Sequence, residues 1–146
     1  MKSILATIQK LEARLAAIEP ARASFIIIYK GKKVLVGRRW HDGSYTFPGG
    51  RFDEGEDKYD AAMRELEEET GISLEKKDLK FLGSELIKDG KKKIYVFEAE
   101  YNGEDPEVEH KKEIYKWKWI KKKDLYDYID PEEARAHDKY ILDHID

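Results

Sequence analysis

Three glutamates, Glu65, Glu68 and Glu69, stand within five residues of one another in a stretch that reads as a helix. At 3.6 residues per turn they share one side of that helix, within an arc of roughly 100°. Carboxylates gathered in this way repel each other unless a cation neutralises them. An all-oxygen donor set suits Mg²⁺ or Mn²⁺, which keep water ligands and bind phosphate oxygens directly. A different side of the helix is built for burial, with Tyr59, Ala62, Met63, Leu66 and Thr70 at i, i+3, i+4, i+7 and i+11. Asp57 can cap the start, with acids following where the helix dipole favours them. Gly71 sits where a C-terminal glycine ends a helix.

The surrounding spacing carries more information than the acids alone. Gly50 is followed by five residues and Glu56, then seven more and Arg64-Glu65, an aliphatic residue, one residue, Glu68-Glu69, one residue, Gly71 and the aliphatic Ile72. Seven fixed positions at roughly 6% usage each match by chance on the order of once in 10⁸ starts. This stretch is a full Nudix box, and on it the chain resembles the Nudix hydrolases, above all the MutT-like members. The resemblance implies a metal-dependent hydrolase that cuts a diphosphate linkage by water attack at phosphorus. It implies Glu65, Glu68 and Glu69 as ligands of Mg²⁺ or Mn²⁺, with the backbone carbonyl of Gly49 completing the set. It implies a mutual pairing of Glu56 with Arg64 that holds the box loop on its helix, leaving Gly50 and Gly71 as structural positions.

Family members differ in the general base. It is either the glutamate matching Glu65 or one in the loop before the last core strand, where Glu113 is the leading candidate here and Glu104, Glu107 and Glu109 are alternatives. Arg38 and Arg39 end a strand where members place a basic residue near the phosphates, and one of two neighbours on a strand should face the binding side. Tyr45 is a candidate to stack a nucleobase, as are Trp40, Tyr95, Phe97, Trp117 and Trp119, although strand aromatics are more often core. The box is common to enzymes acting on nucleoside triphosphates, ADP-ribose, nucleotide sugars, dinucleoside polyphosphates and RNA ends, so it does not choose among them. The small size favours a MutT-like nucleotide pyrophosphohydrolase, with ADP-ribose or nucleotide-sugar cleavage next. An RNA 5′ end comes third, because the runs Lys91-Lys92-Lys93 and Lys121-Lys122-Lys123 are short and read as solvated turns. A non-catalytic nucleotide sensor is the rival of another class, and it should have lost one of the three glutamates.

Composition agrees with an enzyme of anions. The chain has 146 residues, the size of one domain with one core. Net charge is −3, yet residues 53–69 hold nine acids against Lys58 and Arg64, a local −7 that leaves the remainder at +4. With no cysteine, disulfides, thiolate metal sites and cysteine nucleophiles are excluded. No apolar run approaches the roughly 18 residues of a membrane span. Gln9, Lys10, Glu12 and Arg14 interrupt any secretory leader. A cytoplasmic protein with a small-molecule nucleotide substrate and no membrane partner is expected.

The elements that must position these residues follow from periodicity. Ile4, Ile8, Leu11, Leu15 and Ile18 mark an amphipathic helix over 3–18, ending before Pro20. Its stripe is expected to pack on its own domain, with a homodimer contact as the alternative. Residues 1–20 thus form an added helix and 21–146 a single Nudix domain. Strands are predicted at 24–29 and 34–37 as a hairpin, at 45–47 before the Pro48-Gly49-Gly50 turn, at 79–87 and 93–101 about Asp89-Gly90, and at 114–120. A short helix is expected at 123–128, and a C-terminal one capped by Asp130, with Pro131 at its first position and Glu133 closing a capping box. The order suggests an α+β, or α/β/α, sandwich with a mixed sheet between helices, the fold that the resemblance also implies.

Overall fold

The isoleucine-rich run Ala21–Lys30 is β1, the central strand of a seven-stranded sheet in the computed structural model, which describes residues 2–17, 19–106 and 114–146. Every residue of 23–28 is buried, as expected of a strand covered on both faces. β2 (Lys33–Arg39) returns antiparallel to it, so the predicted hairpin stands with longer arms. β3 (Tyr45–Thr46) pairs with β2, and β4 (Gly49–Arg51) pairs with the first half of β1. The Pro48-Gly49-Gly50 turn thus opens into a short strand.

β5 (Lys80–Ile87) and β6 (Lys92–Glu100) form the second hairpin, whose turn holds Lys88, Asp89 and Gly90 at positive φ. β6 runs parallel to β1, and β7 (Ile114–Lys121) runs antiparallel to β2, making the sheet mixed. Helices α2 (Lys58–Thr70), α3 (Leu125–Tyr128) and α4 (Ala136–Leu142) enclose it. Ala62 and Leu66 of α2 pack with Ile26, Ile28, Leu35 and Phe97 on one face. Leu125, Ile141 and Leu142 pack with Phe25, Ile27, Val34 and Val36 on the other. The expected α/β/α sandwich is what the chain adopts.

Two expectations are corrected. The C-terminal helix begins at Ala136 and not at Pro131. The Asp130 carboxylate accepts the N–H of Glu132 at 3.0 Å and its carbonyl accepts those of Glu133 and Ala134, which closes a local turn. An Asp that bonds two residues ahead competes with helix propagation. The second correction concerns α1 (Lys2–Ala17), expected to lay its stripe on the domain. Ile4, Leu5, Ile8 and Leu11 are between 45% and 63% exposed. The helices α2 on one face and α3 and α4 on the other supply the core packing of the sheet without it. Ile18 lies outside the described residues.

Candidate active site

Local signals hold α2 in place. Asp57 accepts the N–H of Asp60 at 2.8 Å while the Asp60 carboxylate accepts that of Asp57 at 3.2 Å, a reciprocal cap. Gly71 ends the helix in the left-handed conformation, φ 76°, and donates to the Glu67 carbonyl. Ala62, Leu66 and Thr70 are buried as the stripe predicted, and so is Ala61, which the stripe missed; Tyr59 and Met63 are half-buried. The last turn is also tied to the sheet, because the Trp117 indole N–H donates to the Glu69 carbonyl at 2.8 Å. Gly37 makes room for that indole: a Cβ at position 37 would lie 2.7 Å from the ring of Trp117.

The acidic side of α2 is held against the Gly49-Gly50 turn. The N–H of Gly49 donates to Glu69 Oε1 at 2.9 Å. Gly49 has φ 154° and a Cβ there would strike the Ser24 carbonyl, so only glycine fits. At Gly50 a side chain would instead displace the Glu65 carboxylate. A Cβ on it would stand 2.6 and 2.7 Å from the two carboxylate oxygens of Glu65. Burial pushes the Glu65 carboxyl up from its usual range, and the neighbouring Arg64 opposes this.

Arg64 organises the box loop. It donates to Glu56 through Nε at 2.8 Å and Nη2 at 3.0 Å, to the Arg51 carbonyl at 2.8 Å, to Glu65 at 3.0 Å and to Glu68 at 3.1 Å. The Arg64 guanidinium holds the Glu56 carboxyl below its usual range. The Glu56–Arg64 pairing implied by the resemblance is therefore present, and Glu56 also accepts the Asp53 N–H at 2.6 Å.

These residues fit a hard divalent cation. Glu65 and Glu69 both lie on the glycine turn, Glu68 is one turn along from Glu65's neighbour Arg64, and every donor is oxygen. Among the described residues no three acidic or imidazole groups stand so that they would hold a metal ion by themselves. Mg²⁺ needs no such set, since it retains waters and takes substrate phosphate oxygens.

The other predicted site residues are dispersed. Arg38 is exposed on β2 opposite Tyr45, with its Nε donating to the Gly43 carbonyl at 3.3 Å. Tyr45 meets Tyr128 edge-on at 5.2 Å, beside a cavity of about 430 Å³. Arg39 was expected beside substrate phosphates, but it is 4% exposed. Its guanidinium donates to Ser44 at 2.8 Å and to Asp138 at 3.0 Å. A break in strand register between Arg38 and Arg39 accompanies this inward turn. Trp119 stacks with Tyr101 at 6.4 Å, Phe97 is core, and Trp40 is exposed. Tyr101 donates to the carbonyl of Glu104, while Glu107, Glu109 and Glu113 lie outside the described residues.

One constellation escaped the sequence reading. Asp138 of α4 accepts from Arg39 and from the Thr46 hydroxyl at 2.8 Å. Arg39 Nη2 also meets His137 Nε2 at 3.2 Å. Arginine can only donate, so this ring nitrogen accepts and the imidazole is neutral. Burial agrees, pushing His137 down to about 4 despite the nearby Asp138. His137 also stacks on Phe25 at 4.8 Å. No spacing in the sequence signals contacts between β2 and a helix almost a hundred residues on.

Comparison with known proteins bears on this geometry. The family profile described as NUDIX domain matches residues 19–145. An RNA pyrophosphohydrolase of Rhizobium meliloti (strain 1021) is 31% identical over 138 residues, 79% of this chain and 83% of the relative. One of Novosphingobium aromaticivorans is 29% identical over 132 residues, 75% of this chain and 81% of the relative. Among solved structures, a MutT NUDIX hydrolase from Burkholderia pseudomallei superposes with a TM-score of 0.71 at 23% identity, covering 87% of this chain and 98% of that one. A C. elegans Ap4A hydrolase complex gives 0.60 at 27% identity, covering 83% and 92%. With the box, its glycine turn and the sandwich in place, the chain belongs to the NUDIX family and is a hydrolase of the pyrophosphohydrolase kind.

Proposed function

We propose that this enzyme removes pyrophosphate from the 5′-triphosphate end of RNA, using Mg²⁺ or Mn²⁺. The observation that carries the chemistry is the seating of Glu65 and Glu69 on the Gly49-Gly50 turn. The likeness to the two RNA pyrophosphohydrolases, over most of each chain, supports the substrate. Glu65, Glu68, Glu69 and the Gly49 carbonyl hold the cation, which when bound neutralises diphosphate charge and acidifies a water ligand. Arg64 and Glu56 keep the loop on the helix. Arg38 stands at the rim for a phosphate, and Tyr45 offers a ring at the neighbouring cavity. Water attacks one phosphorus, a P–O bond forms as the bridging P–O bond breaks, and a carboxylate accepts the proton. Glu65 or Glu113 is that base.

The second reading is a free nucleoside triphosphate, favoured by the cavity at Tyr45 and Tyr128, whose roughly 430 Å³ suits a single nucleoside. Either substrate belongs in the cytoplasm; among the described residues no helix is long and apolar enough to cross a membrane. The exposed stripe of Ile4, Ile8 and Leu11 is the proposed contact of a homodimer. Deleting residues 1–19 should then halve the mass in solution, and an unchanged mass refutes the dimer.

The test of function is hydrolysis of a 5′-triphosphorylated oligoribonucleotide and of free nucleotides with each cation, beside Glu69→Gln. RNA left with a 5′-monophosphate and pyrophosphate released is the expected result, slowed at least about 10²-fold in the variant. The enzyme reading fails if no diphosphate compound is cut, or if Glu69→Gln matches the parent. Cleavage of free nucleotides alone selects the second reading. For the base, Glu113→Gln should flatten the acidic limb of the pH profile, where the parent loses activity as that carboxylate is protonated; a small loss with the profile unchanged returns the role to Glu65.

A further inference from the structure

Two lysine runs that look unrelated in sequence meet at one end of the sheet. Lys33 of β2 lies directly opposite Lys121 of β7, and the N–H of Lys122 donates to the Lys32 carbonyl at 2.9 Å. Together with Lys30 and Lys123 they line a cavity of about 800 Å³ whose only other lining residue, among the described residues, is Gly31. Lys30 and Lys122 lean over the rings of Trp119 and Tyr29, and Lys30 also reaches Asp105 at 3.5 Å. Lys32, Lys33, Lys121 and Lys123 are exposed and have no ion pair among the described residues.

Like charges placed directly across a strand pair oppose folding. A protein can accept that cost on an edge strand, where lysines deter unwanted pairing. β7 is such a strand, but Lys116 and Lys118 already provide that protection along it. Lys30 at the end of β1 and Lys32 in the turn add nothing to it. A concave site whose walls are lysine stems and whose charges are all ammonium groups is instead complementary to a run of phosphates.

Its position selects the polyanion. Phe25 of β1 pairs with Gly49 at the candidate active site, and Lys30 stands five residues further along the same strand. At about 3.3 Å per residue the two places are roughly 17 Å apart. A few nucleotides of unpaired RNA span that distance. We infer that the Lys30–Lys33 and Lys121–Lys123 cluster binds the phosphodiester backbone of the substrate RNA downstream of its 5′ end. This rests on the RNA-end reading and extends it from the scissile group to the body of the substrate.

The test compares the full-length enzyme with a variant carrying Lys32→Gln, Lys33→Gln, Lys121→Gln and Lys123→Gln, all exposed positions away from the box. Substrates are a 5′-triphosphorylated dinucleotide and a decamer. The variant should raise KM for the decamer about tenfold, with kcat and the dinucleotide KM unchanged. The slope of log affinity against log salt for the decamer should flatten by roughly 0.7 for each lysine that touches a phosphate. An unchanged decamer KM, or an equal rise for both lengths, overturns the proposal. If the parent cuts neither RNA, the RNA-end reading fails, and fluorescence anisotropy with a 5′-hydroxyl decamer decides the cluster by itself. Weaker binding by the variant supports it, and equal binding overturns it. Binding to phosphatidylserine vesicles that depends on these lysines, while decamer binding does not, also overturns it.

Discussion

The molecule contains two arginine networks that work in opposite ways. Arg64 draws together Arg51, Glu56, Glu65 and Glu68, all within thirteen residues, and its side chain is 24% exposed. Arg39 joins Asp138 across the fold, and these side chains are 5% and 2% exposed. The first network sits in a semi-aqueous loop, where ion pairs add little stability but can fix geometry. The second sits in a low-dielectric interior, where each charge depends on the other. The same residue type therefore shapes a catalytic loop in one place and locks a helix to the sheet in the other.

Removing the Asp138 charge should give the largest effect. Asp138→Asn leaves Arg39 buried without a counter-ion and should cost about 3–5 kcal/mol in chemical denaturation, with turnover per folded molecule retained. A cost below about 1 kcal/mol, within the range of surface pairs, would erase the contrast between the networks. Glu69→Gln should do the reverse, lowering kcat at least about 10²-fold with little change in melting temperature.

The buried network should also make stability depend on pH. His137 has a folded value of about 4, below the ordinary 6.5, so the unfolded chain takes the proton first. Its contribution is complete above about pH 6.5 and is lost as the pH falls towards 4. Between pH 7 and pH 5 this amounts to roughly 2 kcal/mol. Denaturation at both values should show the loss in the parent and not in His137→Gln; equal losses would remove His137 from the account. The smallest effect should come from Arg64→Gln, with kcat/KM falling about tenfold and stability changing by less than about 1 kcal/mol. A stability loss matching that of Asp138→Asn would make the loop network a core element after all.

The contrast also explains what could be read in the sequence. The α2 helix was legible because its cap at Asp57, its stripe through Ala62 and Leu66 and its stop at Gly71 are all local signals. The Glu56–Arg64 pairing came with the box. That one of Arg38 and Arg39 must face outward was legible from strand alternation, but which one was not: Arg38 is the exposed residue and Arg39 is held inward by Asp138, with the register shifting between them. The start of α4 was misplaced because Asp130 and Pro131 favour a turn as readily as a helix cap. The stripe of α1 is helical as its periodicity predicted, but periodicity does not say whether a face is left to cover it.

By itself the sequence determined the hydrolase family and the helix that carries Glu65, Glu68 and Glu69, since these depend on spacings of a few residues. Only the tertiary structure decided that Glu65 packs against Gly50, that Arg39 belongs to Asp138, and that the lysines of 30–33 and 121–123 form one cationic surface. Each of these joins positions on different strands or helices. Such contacts depend on how the sheet closes, which no local propensity encodes.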